Sequence, residues 1–162
     1  MKKILYVLIA VLFVGIVTGC EIKFNNESQT EKTFICSLHD DRTSTNGYVL
    51  DAEYKGFYKG LYVSRVETVE KITSSNAELL DSFKSSVEST YLANNAKYGG
   101  YNYNVTVSGG VLTSTAIIDY EVLDVAGMVK DEPTMKPYTK DNKMTVNGVK
   151  AIYESLGATC SD

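Results

Sequence analysis

The chain has 162 residues, with 16 Lys and Arg against 20 Asp and Glu, a single His and a formal net charge of −4. That acidic balance argues against nucleic acid as a partner and against electrostatic adhesion to anionic lipid. The sequence has no repeat of fixed period, no low-complexity run and no Pro-rich stretch.

Lys2 and Lys3 lead into an uncharged apolar run, Ile4 to Val17. As a helix this run would reach roughly 21 Å, short of a ~30 Å hydrocarbon core. That length fits the apolar region of an export signal better than a permanent span. Val17-Thr18-Gly19-Cys20 follows the lipobox pattern of aliphatic, small, small, cysteine, with Val in place of the commoner Leu. The Cys20 thiol would accept a diacylglyceryl group, and the small residues before it would admit the signal peptidase. The alternative is an uncleaved anchor helix with an incidental cysteine. The expectation is a lipoprotein signal peptide over 1–19 and a lipidated N-terminus at Cys20. Two or more acyl chains would hold such a protein on the membrane without a spanning helix. Removal of Lys2 and Lys3 leaves 14 basic and 20 acidic residues, a net charge of −6.

Residues 20–33 are mostly polar and read as a tether, with a first edge strand as the alternative. Residues 34–162 are long enough for one domain with its own core. Phe34 to Leu38 alternates weakly, as a strand does. His39-Asp40-Asp41 then reads as a charged loop leading to a tight turn at Asn46-Gly47. Tyr48, Leu50, Ala52, Tyr54 and Tyr58 alternate with Asp51, Glu53 and Lys55, which predicts a half-buried strand. Lys59-Gly60 can turn the chain into a β-branched strand over Leu61 to Glu70.

Ser75-Asn76-Ala77-Glu78 fits a capping box. Leu79, Leu80, Phe83, Val87 and Tyr91 follow at helical spacing, which predicts a helix ending near Asn95. Tyr101 to Ser108 and Val111 to Val122 alternate about Gly109-Gly110 as a β-hairpin. Asp124 to Lys130 reads as a short helix, and Pro133 and Pro137 mark a loop. Val149, Ile152, Tyr153 and Leu156 share one helical face, with Gly157 as the residue that ends the helix. The predicted fold class is α+β: an antiparallel β-sheet of about five strands covered on one face by helices, in the order β-β-β-α-β-β-α.

With Cys20 lipidated, Cys36 and Cys160 remain, and export would place both where disulfides form. A bridge between them is expected. A zinc site or a catalytic thiol would need more partners than His39 alone.

The sequence resembles the YehR-like small bacterial lipoproteins, a family of unknown function. The resemblance rests on the lipobox at Cys20, the run Tyr98-Gly-Gly-Tyr-Asn-Tyr-Asn-Val, Ile118-Asp119-Tyr120, and the tail from Ile152 to Cys160. It spans Phe34 to Cys160. It implies a one-domain antiparallel α+β lipoprotein and supplies no catalytic residues.

His39 with Asp40 and Asp41 is the one place for a histidine-based metal site or general base. Asp119, Glu121 and Asp124 are the one place for a hard cation. Solvated charge is the preferred reading of both. No hydrolase elbow, zinc-protease, phosphate-loop or dinucleotide motif is present. Tyr98, Tyr101 and Tyr103, interleaved with Asn102 and Asn104, are the candidate ligand-facing residues. Packing on the strand face competes with that reading. The expected function is a non-catalytic, membrane-tethered, extracytoplasmic binding module for an envelope protein, peptide or sugar. It would be a monomer with no cofactor and no metal. The alternative is a structural or envelope-stress lipoprotein without a dedicated ligand. A hydrolase ranks below both.

Overall fold

A computed structural model describes residues 30–162. The expected signal peptide, the expected lipidation site at Cys20 and the segment read as a tether up to residue 29 lie outside the described residues. Strand β1 (Lys32–Asp41) begins two residues before Phe34, inside the segment read as tether. β2 (Val49–Lys59) and β3 (Tyr62–Thr73) continue it as an antiparallel meander. Alternation sends Leu50, Ala52, Tyr54 and Gly56 of β2 inward, opposite Ile72, Glu70, Thr68 and Val66 of β3.

His39, Asp40 and Asp41 are strand residues rather than loop. His39 faces Asp51 across the β1–β2 ladder. The β1–β2 connection is also longer than a two-residue turn. Asp41 Oδ1 accepts from the Thr43 N–H and hydroxyl, and the Arg42 carbonyl accepts from the Asn46 and Gly47 N–H groups. This winds a single helical turn, α1 (Thr43–Asn46), which Gly47 ends at φ 77°.

Helix α2 (Ala77–Tyr98) is capped one residue later than the capping box implied. Asn76 Oδ1 accepts the Leu79 N–H, while Ser74 Oγ accepts the Asn76 N–H and donates to the Gly47 carbonyl. The helix passes Asn95 and stops only where Gly99 takes φ 70°. Leu80, Phe83 and Val87 seat it on Leu50, Ile72, Val105 and Leu112, with Tyr48 edge-on to Phe83 at 5.2 Å.

β4 (Tyr101–Ser108) and β5 (Val111–Asp119) form the expected hairpin, and β5 also pairs with β3. β5 ends three residues before Val122. Asp119 accepts the Glu121 N–H on its side chain and the Leu123 N–H on its carbonyl, which curls the chain off the sheet. Val122 is therefore 66% exposed rather than part of the inner face.

A second cover follows: α3 (Val125–Asp131), a 3₁₀ segment (Pro133–Tyr138), a ribbon of β6 (Thr139–Lys140) and β7 (Lys143–Met144), and α4 (Val146–Ser155). Val149, Ile152 and Tyr153 of α4 pack with Phe34, Val66 and Met144 in a second core. Gly157, at φ 96°, ends this helix as expected. The chain then adds a strand that the sequence reading did not contain, β8 (Thr159–Ser161), antiparallel to β1. The result is an α+β fold on one six-stranded antiparallel sheet, ordered β4-β5-β3-β2-β1-β8. The inward residues of both cores share one face. His39, Asp51, Glu53 and Lys71 stand exposed on the other.

Cys160 lies opposite Cys36 in the β1–β8 register, and the two are joined as a disulfide with Cα atoms 4.0 Å apart. Gly148 sets how closely α4 approaches the 3₁₀ segment. A Cβ there would lie 2.2 Å from the Tyr138 carbonyl oxygen, which is backbone and cannot rotate away. Gly148→Ala is expected to cost ~3 kcal/mol, read as a lower urea midpoint. An unchanged midpoint would show that the contact relaxes freely.

Candidate functional site

The two helical covers touch where Lys97 and Tyr98 of α2 meet Asp131 of α3, and they leave a gap over the sheet beside that contact. The strands beneath the gap carry the parity that a core requires, yet Glu70 on β3 and Asp40 near the end of β1 are charged at inward positions. Val66, Thr68, Glu70 and Ile72 point inward along β3. Glu70 is flanked by small neighbours, Ala52 on β2 and Ser114 on β5. Tyr54, diagonal to it, donates its phenol O–H to Glu70 Oε1 at 3.0 Å.

Above this acid lies a cavity of about 560 Å³. That volume falls within the ~300–1,000 Å³ usual for small-molecule sites. Its floor is Tyr54, Thr68, Glu70 and Ile118. α2 contributes Val87, Thr90, Tyr91 and Asn94, and α4 contributes Ile152 and Tyr153. Tyr98, Tyr101, Tyr120 and Met128 close the side, and the exposed charges Arg42, Lys97 and Asp131 stand at the mouth. The rings brace one another. Tyr54 stacks on Tyr153 at 4.0 Å between centroids, and Tyr91 stacks on Tyr103 at 5.1 Å.

The electrostatics follow from enclosure. Burial pushes the Glu70 carboxyl above the ordinary glutamate range, and the Tyr54 hydrogen bond pulls it partly back. Glu70 is surrounded by protein but borders a space wide enough for water, so its desolvation is partial. Burial and the nearby Glu70 charge raise Tyr91 to about 12, and burial with the Tyr98 phenol raises Tyr101 to about 12. Tyr54, Tyr120 and Tyr153 are pushed up too, first by burial. Every one of these phenols is neutral near pH 7. The Thr68 and Ser114 hydroxyls lie beside Tyr91 and act to lower it, but neither reaches hydrogen-bond geometry with any group. Both are buried, and Thr68 lines the cavity. At the mouth, Lys97 Nζ pairs with Asp131 at 2.8 Å, Tyr98 donates to the same carboxylate at 3.1 Å, and Arg42 pairs with Asp40 at 2.8 Å.

Of the three candidate tyrosines, Tyr98 and Tyr101 line the cavity. Tyr103 does not, because its ring is stacked behind Tyr91. His39 lies on the opposite face of the sheet, where Nδ1 meets Asp51 Oδ1 at 2.6 Å. That contact, ahead of the Asp41 and Asp40 charges, raises its pKa. Asp119 is occupied with the Glu121 N–H, and Asp124 caps α3 through the Gly127 N–H. Among the described residues no group of three or more His, Cys, Asp or Glu is placed to hold a metal ion. Glu70 was missed in the sequence. Its parity with Val66 and Ile72 was the available signal.

The fold has a structural counterpart. The chain shares the fold of the YehR protein of E. coli. The two superpose with a TM-score of 0.56 at 15% identity, over 83% of this chain and 93% of that one. A protein from Streptococcus pneumoniae TIGR4 aligns at a TM-score of 0.45 and 19% identity, over 93% of this chain and 96% of that one. No protein-family model and no curated protein matches the sequence. The fold implied by the resemblance to the YehR-like proteins is thus the observed one. At such identities the likeness speaks for the fold alone. No helix among the described residues is long and apolar enough to cross a membrane.

Proposed function

We propose that this chain is a lipid-anchored, extracytoplasmic module that binds a small ligand in the cavity between sheet and helices and performs no chemistry on it. The observation that carries the reading is the cavity itself. A purely structural domain gains nothing from an uncovered carboxyl and the unsatisfied Thr68 hydroxyl lining a gap in its own core. The apolar run before Cys20 and the lipobox support export and lipidation. The Cys36–Cys160 bridge supports an oxidising compartment. The acidic mature chain suits attachment by lipid rather than by charge.

Two arms test this. Cells fed labelled palmitate should label the chain, and Cys20→Ala should abolish the label. A fragment library screened by ligand-observed NMR should yield binders that compete with one another. Thr90→Trp, which fills the cavity from α2, should weaken them about tenfold or more. Hits that ignore Thr90→Trp would place binding elsewhere and overturn the cavity reading.

A further inference from the structure

Resting on that cavity reading, we propose that the ligand is an organic ammonium, seated with its cation against Glu70 and within the ring of tyrosines. The first observation is an unmet acceptor. An ionised carboxylate offers about four lone-pair sites, and Glu70 uses one, for the Tyr54 phenol. No Lys, Arg or His among the described residues lies within ion-pair distance of it. The second is the sign of everything around it. Tyr54 from β2, Tyr91 from α2 and Tyr153 from α4 are neutral rings whose faces carry negative potential, and Ser114 from β5 is an uncharged hydroxyl.

An anionic ligand would meet this acid with no cation to offset it. The cations that line the cavity, Arg42 and Lys97, stand at the mouth and are already tied to Asp40 and Asp131. An ammonium fits both features, since a carboxylate pairs with it and aromatic faces attract it, most strongly where water is excluded. The unsatisfied Thr68 hydroxyl adds an acceptor for an N–H or O–H of the same ligand. Binding also has a proton balance. Burial favours the protonated carboxyl, so over the pH range in which Glu70 still carries its proton an arriving cation displaces that proton to solvent. Affinity therefore rises with pH through the Glu70 titration.

The test is calorimetry on the full chain in phosphatidylglycerol nanodiscs, which carry no choline or amine headgroup. Choline and butylamine are titrated beside their uncharged isosteres, dimethylbutanol and butanol. At least one cation should bind about tenfold or more tighter than its isostere. At pH values within the Glu70 titration its heat should change with the ionisation enthalpy of the buffer, because a proton leaves. Glu70→Gln should lower its affinity about thirtyfold and spare the isostere. Equal binding of cation and isostere, or indifference to Glu70→Gln, overturns the ammonium and leaves a site for neutral ligands. Silence from all four probes overturns the ammonium as well. The fragment screen with Thr90→Trp then decides separately whether the cavity binds anything.

Discussion

Opening the Cys36–Cys160 bridge should destabilise the domain by about 2–4 kcal/mol. The bridge closes a separation of 124 residues, long enough for cross-linking to restrict the unfolded chain strongly. It also holds a local weak point. β8 is three residues long and pairs only with β1, so without the bond little fixes it to the sheet edge. Cys36 is fully buried, and a serine there would add a desolvation cost of its own. Cys36→Ala with Cys160→Ala is therefore the cleaner variant. Its urea midpoint should match that of reduced wild type, and both should fall well below oxidised wild type. Equal midpoints for oxidised and reduced protein would mean that the register alone holds β8. Such a bond persists where thiols oxidise, so the result also bears on the compartment.

Glu70→Gln should stabilise the protein at neutral pH by about 1–3 kcal/mol. The sign follows from the direction of the shift. Burial raises the carboxyl in the folded state. Its contribution to stability is thus fully present below the unfolded-state pKa and is lost as pH rises through the higher folded-state value. Glutamine keeps the volume and still accepts the Tyr54 hydrogen bond at its amide oxygen, but it has no charge to desolvate. Stability curves of the two proteins against pH should converge at acid pH and separate toward neutrality, with wild type below. Parallel curves would show that Glu70 is as well solvated in the fold as outside it. A residue that lowers stability at neutral pH and serves no packing role fits one retained for binding.

Much of this fold was legible because its long elements obey strict periods. The strand through Leu50, Ala52 and Tyr54, the hairpin about Gly109-Gly110, and the stripe Leu80, Phe83, Val87 all lie where their spacing put them. What escaped was short or set from a distance. β8 is too brief to show a period, and its partner lies over a hundred residues upstream. The β6–β7 ribbon turns on Asp141-Asn142, both at positive φ, and lacks the glycine that usually marks such a turn. The charges of His39-Asp40-Asp41 resemble a loop and mask the strand, although Asp40 keeps the inward parity of Cys36 and Leu38.

The site was legible only in part. Tyr98 and Tyr101 were visible as a cluster. The cavity was not, because it is a gap between covers built from distant segments, α2 on one side and α3 with α4 on the other. Glu70 is a carboxylate at a core-parity position of β3, a conflict between local chemistry and pattern of the kind that marks functional positions.

The most direct test of the central claim is the titration of the Glu70 side-chain carboxyl by carbon-13 NMR, alone and with saturating choline or butylamine. The carboxyl should titrate with a midpoint above the ordinary glutamate range in the free protein, and that midpoint should fall markedly when the cation is bound. An ordinary midpoint that neither cation moves would contradict the claim.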